Sequence, residues 1–219
     1  FDADSLLKNP DILTKYPVAK KQINFSGKIQ IKDTVQISNE SEAETIGVIF
    51  SNNDGNRKVQ FRKDGFTCNF LKPYSSWDDF KSSAFEMWQL YSAIFNPKII
   101  LRIALRYINR IELPIDLNQF EEYIVYMPPI PTNFPQSFNN LFMRIEFPCE
   151  NDDYNVILTE TIDSITKTIP FILDIDAYKA KNISNEIEKL TVDFNNLRDI
   201  KNLAFKSCIT PKTEEMFNN

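Results

Sequence analysis

Strand-like runs separated by short turn sequences dominate the middle of the first half of the chain. Residues 45–50 lead through Asn53-Asp54-Gly55-Asn56 into residues 57–61, and a second turn at Asp64-Gly65 leads into residues 66–70. Turns that contain Asn, Asp and Gly between β-prone runs are the strongest local signal for hairpins. The segment therefore predicts consecutive antiparallel strands.

An amphipathic helix is predicted directly after these strands. Ser76 occupies an N-cap position, and Asp79 follows three residues later. Apolar side chains then recur at spacings of three and four residues, at Trp77, Phe80, Ala84, Met87, Trp88, Tyr91 and Phe95. Asn96-Pro97 ends the pattern, because proline cannot continue a helix.

Weaker patterns predict the remaining elements. Further strands are expected at residues 28–37, 98–113, 138–147, 154–162 and 169–176. Further helices are expected within residues 2–16, with Ser5 as N-cap, at 117–125, and at 184–208. In the last of these a near-heptad seam is formed by Ile187, Leu190, Phe194, Leu197, Ala204 and Cys208.

These elements predict an α+β fold, in which a curved antiparallel sheet packs against long helices. The order short helix, several strands, long helix occurs twice, so two duplicated β-α-β(3–4)-α halves are a further interpretation. The first strand of the first half would then lie before Phe1. A short echo of residues 110–114 in residues 144–148 favours duplication. The halves, 1–97 and 98–219, meet near Pro97, and we expect them to form one globular unit.

The chain has almost no equipment for conventional side-chain catalysis. It contains no histidine, which excludes Ser-His-Asp and Cys-His machinery and the histidine-rich zinc sites. Its four glycines are too widely spaced for a Walker loop or a G-x-G-x-x-G motif. We therefore expect a protein that is not an enzyme, with no catalytic residue, no metal and no cofactor.

An arginine-rich segment is the most distinctive part of the sequence. Under the two-residue alternation of a strand, Arg102, Arg106 and Arg110 share one face with Glu112, while apolar side chains occupy the other face. We expect this strand to be central in the sheet. Three cations along one strand require either acids on neighbouring strands or an anionic ligand.

The acids of another predicted strand are candidate partners for these arginines. Asp174 and Asp176 would lie on one face about 7 Å apart. One hypothesis is an ion-pair ladder with these acids or Glu146, and the other is an anion-recognition face. Half of a Mg²⁺ site is a weaker hypothesis, because such a site needs further ligands. The candidate binding residues are Arg102, Arg106, Arg110, Asp174 and Asp176.

The segment Leu105-Arg106-Tyr107-Ile108-Asn109-Arg110-Ile111 resembles part of a known family. It is preceded by the helix that starts at Trp77 and followed by Leu173-Asp174-Ile175-Asp176 and the long C-terminal helix. Together, over about residues 58–217, these features resemble a sporadically distributed family of uncharacterised bacterial proteins. The family carries no assigned activity, and its patchy distribution suggests accessory genes such as those of phage defence.

Composition narrows the partners further. The net charge of −5 disfavours nucleic acid as a partner. Because of a basic hairpin, nucleic-acid binding remains a third and weaker hypothesis. No apolar run approaches the roughly 20 residues that a membrane span needs. Three widely spaced cysteines imply neither a disulfide framework nor a zinc knuckle, so we expect a reducing cytoplasm. Eighteen phenylalanines must be buried or form a contact surface.

These observations lead to two functional hypotheses. The first is a non-enzymatic protein-interaction component of a bacterial accessory or defence-type system. It would bind another protein, or a second copy of itself through the C-terminal helix. The alternative is a domain that senses a small anionic ligand or nucleotide with the arginine-lined face of the sheet.

Overall fold

The computed structural model describes residues 2–28, 40–114, 117–125, 131–135, 140–149, 153–164 and 167–217. The chain divides into two compact units, Phe1–Lys98 and Ile99–Asn219. Each unit contains a four-stranded antiparallel sheet and a long helix, which confirms the α+β class. The strands form two open sheets, one in each unit, rather than one continuous sheet.

The first unit places two short helices before its strands and a long helix after them. Its elements are α1 (Ala3–Leu6), α2 (Pro10–Leu13), β1 (Val18–Lys28), β2 (Glu40–Ser51), β3 (Arg57–Arg62), β4 (Gly65–Phe70) and α3 (Trp77–Phe95). The strand order is β1-β2-β3-β4, so every strand pairs with its neighbour in sequence.

The N-terminal region differs from the prediction. The expected helix within 2–16 is two helices, because the Asn9 side chain accepts hydrogen bonds from the backbone N–H groups of Asp11 and Ile12 and starts a second one. Asp2, not Ser5, caps α1. Strand β1 was not predicted. The strand expected at 28–37 lies, from residue 29 onward, outside the described residues.

The hairpins and the helix that follows them agree with the prediction. Residues 52–56 join β2 to β3, with Gly55 at a φ of 69°. Ser76 accepts a 3.1 Å hydrogen bond from the backbone N–H of Asp79 and caps α3. Asn96 adopts the left-handed conformation, with φ 46°, and ends α3.

The core of the first unit is largely aromatic. Phe61 is fully buried and makes edge contacts to the rings of Phe50 and Phe66. On α3, Trp88 stacks on Tyr91, whose ring centre lies 5.9 Å from that of Phe61. The Tyr91 hydroxyl donates to the backbone carbonyl of Arg62 at 3.1 Å, so the helix is tied to β3 by a polar contact as well.

The second unit begins with a strand and ends with helices. Its elements are β5 (Ile103–Leu113), a 3₁₀ helix (Leu117–Glu122), β6 (Phe142–Pro148), β7 (Tyr154–Ile162), β8 (Ile169–Lys179), α4 (Ile187–Cys208) and α5 (Pro211–Glu215). The order is β5-β8-β7-β6. The arginine-rich strand β5 is therefore an edge strand, not the central strand that was expected, because β6, β7 and β8 form a meander and β5 joins only its last strand.

The echo between residues 110–114 and 144–148 does not relate the two units. Both copies lie in the second unit, at the end of β5 and in β6. The echo therefore does not support duplicated halves. The shared order of a short helix, strands and a long helix does not depend on it.

Helix α4 packs on one face of the second sheet, against β8, β5 and, less extensively, β7. Leu190, Leu197 and Cys208, which belong to the near-heptad seam, are buried in this contact. The other seam residues, Ile187, Phe194 and Ala204, are half-buried. The helix-facing side of β8 presents Leu173, Ile175 and Ala177, all fully buried.

Candidate interaction face

The face of the second sheet opposite α4 collects the charged side chains. Alternation along β5 and β8 sends one set of residues towards the helix and the other set away from it. We call the second set, together with the residues of β7 and β6 on the same side, the ionic face. Tyr178 belongs to it, and its charged members are Arg102, Arg106, Arg110, Glu112, Arg144, Glu146, Asp174 and Asp176.

Arg106 forms a two-bond pair with Asp174. Its Nε donates to Oδ1 at 2.8 Å, and Nη2 donates to Oδ2. In the strand register Arg106 lies directly opposite Asp176, so the bond to Asp174 runs diagonally across the ladder. The hydrogen bond to Asp174 raises the pKa of Arg106 further above its ordinary value. The Arg106 side chain is 58% exposed and the Asp174 side chain 14% exposed, so the pair is open to solvent only on the arginine side.

Arg102 is held from two sides. Its Nη2 donates to Oδ2 of Asp176 at 2.8 Å, and its guanidinium lies 4.5 Å from the ring centre of Tyr178. The Tyr178 hydroxyl donates in turn to Glu146 on β6. Glu146 is therefore engaged by a tyrosine and not by an arginine. The chain of contacts links β5, just before its first residue, to the far edge of the sheet.

Arg110 completes the series with two acids. Its Nε donates to Glu112 and its Nη1 to Asp163, both at 2.8 Å. Thr168 also donates to Glu112, and these two hydrogen bonds, first that of Thr168, hold the pKa of Glu112 below its ordinary value. Sequence reasoning missed Asp163, which follows the end of β7 and comes close only through the fold.

The structure thus brings all five candidate residues together on one face. Each of the three arginines donates to at least one carboxylate, so the arrangement is an ion-pair ladder. The anion-recognition hypothesis loses the unpaired guanidiniums on which it depended. Asn109, on the opposite face, donates to the backbone carbonyl of Leu173 at 3.0 Å, as expected of a satisfied core amide.

Two exposed apolar side chains interrupt the ionic face. Ile108 is 64% exposed and lies between Arg106 and Arg110 along β5. Phe142, at the start of β6, is 71% exposed. Sequence reasoning missed both, although alternation alone places Ile108 beside the arginines. Ile108 and Phe142 lie on the two opposite edge strands of the sheet, so they are two separate exposed apolar positions and not one continuous patch.

The first unit has a polar cleft that sequence reasoning also missed. Its volume is about 680 Å³, and it is lined by Lys15, Tyr16, Asn52, Asp54, Asn56, Arg57, Pro73, Tyr74, Ser75, Asp79 and Ser83. Much of this lining is already paired, since Arg57 bonds Asp79 at 2.6 Å and Asn52 bonds Asn56 at 2.8 Å. The cleft therefore does not by itself define a class of ligand.

Metal and membrane features are absent from the described parts of the chain. They contain no group of three or more His, Cys, Asp or Glu side chains that could hold a metal ion. Asp174 and Asp176 form ion pairs with arginines, so they are not a free pair of carboxylates that could form half of a Mg²⁺ site. In the same residues, no helix combines the length and the apolar character that crossing a membrane requires.

The fold and this face define an α+β protein of two units, each built from an antiparallel sheet and a long helix. Comparison of the chain with protein-family models, with curated proteins and with solved structures finds no match. The resemblance to a sporadic bacterial family therefore stays a prediction that depends on residues 105–111 and their surroundings.

Proposed function

We propose that the protein is a non-enzymatic interaction component, whose second unit binds another protein through the ionic face. The observation that carries this proposal is the exposure of Ile108 and Phe142 among fixed ion pairs. The resemblance of residues 105–111 to a bacterial family extends the proposal to an accessory or defence-type system.

The composition of the ionic face favours a protein partner. Arginine and large aromatic side chains are enriched at protein interfaces, and this face carries Arg102, Tyr178 and Phe142. Ile108 offers an apolar anchor with a charged residue on either side along the strand. Ion pairs whose geometry is already fixed orient a partner and reject partners with mismatched charge.

A small anion explains the same face less well. An incoming carboxylate or phosphate would have to displace an internal acid, such as Asp174, from the arginine that already binds it. The pairing of arginines with Asp176 and Asp163 likewise leaves little net positive charge to attract nucleic acid. A protein surface, which brings its own pattern of charges and apolar groups, needs no such displacement.

Site-specific photocrosslinking tests the proposal. Benzoylphenylalanine replaces Ile108 in one variant and Leu203, an exposed residue of α4, in a matched control. We expect position 108 to crosslink one reproducible partner protein in the cells of origin, and position 203 to give none. Adding Phe142→Asp to the first variant should abolish the crosslink while leaving the melting temperature unchanged.

Two outcomes would contradict this assignment. Crosslinks from position 203 and none from position 108 would move the interface to the outer side of α4. A crosslink between two copies of the chain, together with a dimer in sedimentation experiments, would replace the foreign partner by self-association. In the first case the ionic face would be a solvated sheet surface, and in the second it would be the interface between two copies of the chain.

A further inference from the structure

The two units differ at the strand that precedes their long helix. In the second unit β8 lies inside the sheet, between β5 and β7, and α4 packs over β8 and β5. In the first unit the corresponding strand, β4, lies at the sheet edge, and α3 packs mainly against it. Within the described part of the first unit, no strand takes the place that β5 has beside β8.

The helix-facing side chains of β4 are correspondingly less buried. Phe66 and Cys68 are only partly buried, although Phe66 contacts the ring of Trp88 on α3. Their counterparts on β8, such as Leu173 and Ile175, are fully buried under α4. This difference in burial arises because β5 adds contacts to α4 in the second unit. For example, Nζ of Lys201 on α4 lies 3.8 Å from the ring centre of Tyr107 on β5.

The sequence of β4 lacks the usual protection of an exposed edge. Gly65-Phe66-Thr67-Cys68-Asn69-Phe70 contains no charged residue and no proline. Natural sheets block free edges with lysine, proline, bulges or very short strands, because an unpaired edge is a template for another strand. The uncharged edge of β4 therefore leaves its unpaired backbone groups available to another strand.

The register shows which backbone groups are free to pair. Leu71 donates its N–H to the carbonyl of Asn56 at 2.7 Å, and hydrogen-bonded pairs alternate along an antiparallel ladder. The residues of β4 that lie an even number of positions before Leu71 therefore point their N–H and C=O groups to β3. The residues between them, Phe66, Cys68 and Phe70, direct these groups to the open edge.

We propose that this edge of β4 binds an extended segment of a partner polypeptide as an added antiparallel strand, in the position that β5 holds against β8. The segment has about six residues, with apolar side chains at alternate positions that complete the cover of α3. Backbone hydrogen bonds supply affinity, and the alternate apolar side chains supply selectivity.

A second copy of this chain fits the same edge poorly. Antiparallel pairing of β4 with its own copy places both α3 helices on the same face of the joined sheet. Neighbouring strands are about 4.8 Å apart, whereas packed helices need about 8–10 Å between their axes. Because α3 packs mainly against β4, the two helices would overlap.

The inference concerns a different surface from the ionic face, and either can fail without the other. The probe is a capped synthetic peptide with the sequence of residues 102–112, which is the strand that fills the equivalent edge in the second unit. The control peptide has serine in place of its helix-facing Leu105 and Tyr107. Amide hydrogen exchange followed by NMR reads the result, with the whole chain as the receptor.

We expect the probe peptide, but not the control peptide, to slow exchange at the amides of Phe66, Cys68 and Phe70. Cys68→Pro removes one outward N–H and leaves the β3 ladder intact, so it should weaken peptide binding at least tenfold. Cys68→Ala keeps the N–H and should bind like the original chain. The exchange measurement needs no variant, so the test stands even if Cys68→Pro does not fold.

Four results would overturn the proposal. The probe peptide could fail to bind, or it could protect β8 or β6 in place of β4. The outward amides could already be slow in dilute protein without peptide, which would mean that the chain itself fills the edge. Protection that grows with protein concentration in the absence of peptide would identify a second copy as the occupant.

Discussion

Lys179 and Asp193 form a 2.8 Å ion pair beneath α4, with only 9% of each side chain exposed. Asp193 also accepts a hydrogen bond from the Tyr154 hydroxyl, which in turn accepts one from the Asn196 side chain. Burial alone would lower the pKa of Lys179, but the hydrogen bond to Asp193 raises it above its ordinary value. The pair fastens α4 to the ends of β7 and β8.

Removal of the acid from this pair should be costly. Asp193→Ala leaves the Lys179 ammonium buried without a counter-charge, so we expect a loss of about 3–5 kcal/mol in the free energy of unfolding. Lys189→Ala is the matched control, since its pair with Glu186 is 62% exposed on both sides and should contribute less than about 1 kcal/mol. Urea unfolding followed by far-UV circular dichroism measures both. Equal losses would show that burial of the pair is unimportant.

The ladder on the ionic face should contribute much less. Arg106 is 58% exposed but Asp174 is only 14% exposed, so Arg106→Ala, which leaves that carboxylate unpaired, should reduce stability by about 1–2 kcal/mol. A double-mutant cycle with Asp174→Asn isolates the interaction between the two side chains. A coupling energy near 3 kcal/mol would instead mean that the pair behaves as a buried one and is chiefly structural.

A buried carboxyl group should make stability depend on pH. Glu160 is 1% exposed, and burial raises its pKa from 4.5 to about 7. Between these two values the folded chain binds more protons than the unfolded chain, so the contribution of Glu160 to stability falls as pH rises and is constant above about pH 7. Glu160→Gln should therefore be more stable than the original chain at pH 8, by roughly 3 kcal/mol, and nearly equal to it at pH 4.

The control for this pH dependence is Glu188→Gln on the exposed side of α4. Glu188 lies in the first turn of α4, where the helix dipole favours a negative charge, so its replacement should cost no more than about 1 kcal/mol. A Glu160→Gln variant that loses stability at pH 8 would show that the carboxylate is stabilised by a partner in the folded state.

A close approach of backbone to side chains makes Gly47 hard to replace. A Cβ atom there would lie 2.7 Å from Cγ of Arg62 and 3.0 Å from the backbone oxygen of Phe61. Gly47→Ala should reduce the unfolding free energy by about 1–3 kcal/mol, because the neighbouring strand has to shift. At Gly65 nothing lies within 4 Å of the added atom, so Gly65→Ala should be nearly neutral. A thermal melt of both variants decides the comparison, and equal melting temperatures would contradict it.

Local chemistry explains what the sequence could predict of the fold. The turns around Gly55 and the cap at Ser76 depend on residues within a few positions of each other, so the hairpins and α3 are visible without long-range information. Strand β1 could not be predicted from the sequence, because Lys20 and Lys21 interrupt its alternation of apolar and polar residues. Its pairing with β2, and the register shift after Gln22, depend on the partner strand and not on its own sequence.

The candidate face was predictable in composition but not in pairing. Alternation groups Arg102, Arg106 and Arg110 on one side of β5, and this needs only the period of a strand. Their exact partners depend on how β8 aligns with β5, since Arg106 and Asp174 are 68 residues apart in sequence. The edge position of β5 likewise follows from the order in which distant strands meet, which no local pattern encodes.

Both tryptophans of the chain, Trp77 and Trp88, lie in α3 of the first unit. Intrinsic tryptophan fluorescence therefore monitors the unfolding of that unit alone, whereas far-UV circular dichroism monitors both. Variants at Asp193 or Glu160 act in the second unit and could shift its transition while the fluorescence curve stays still. A difference between the two midpoints would measure how far the two units unfold independently of each other.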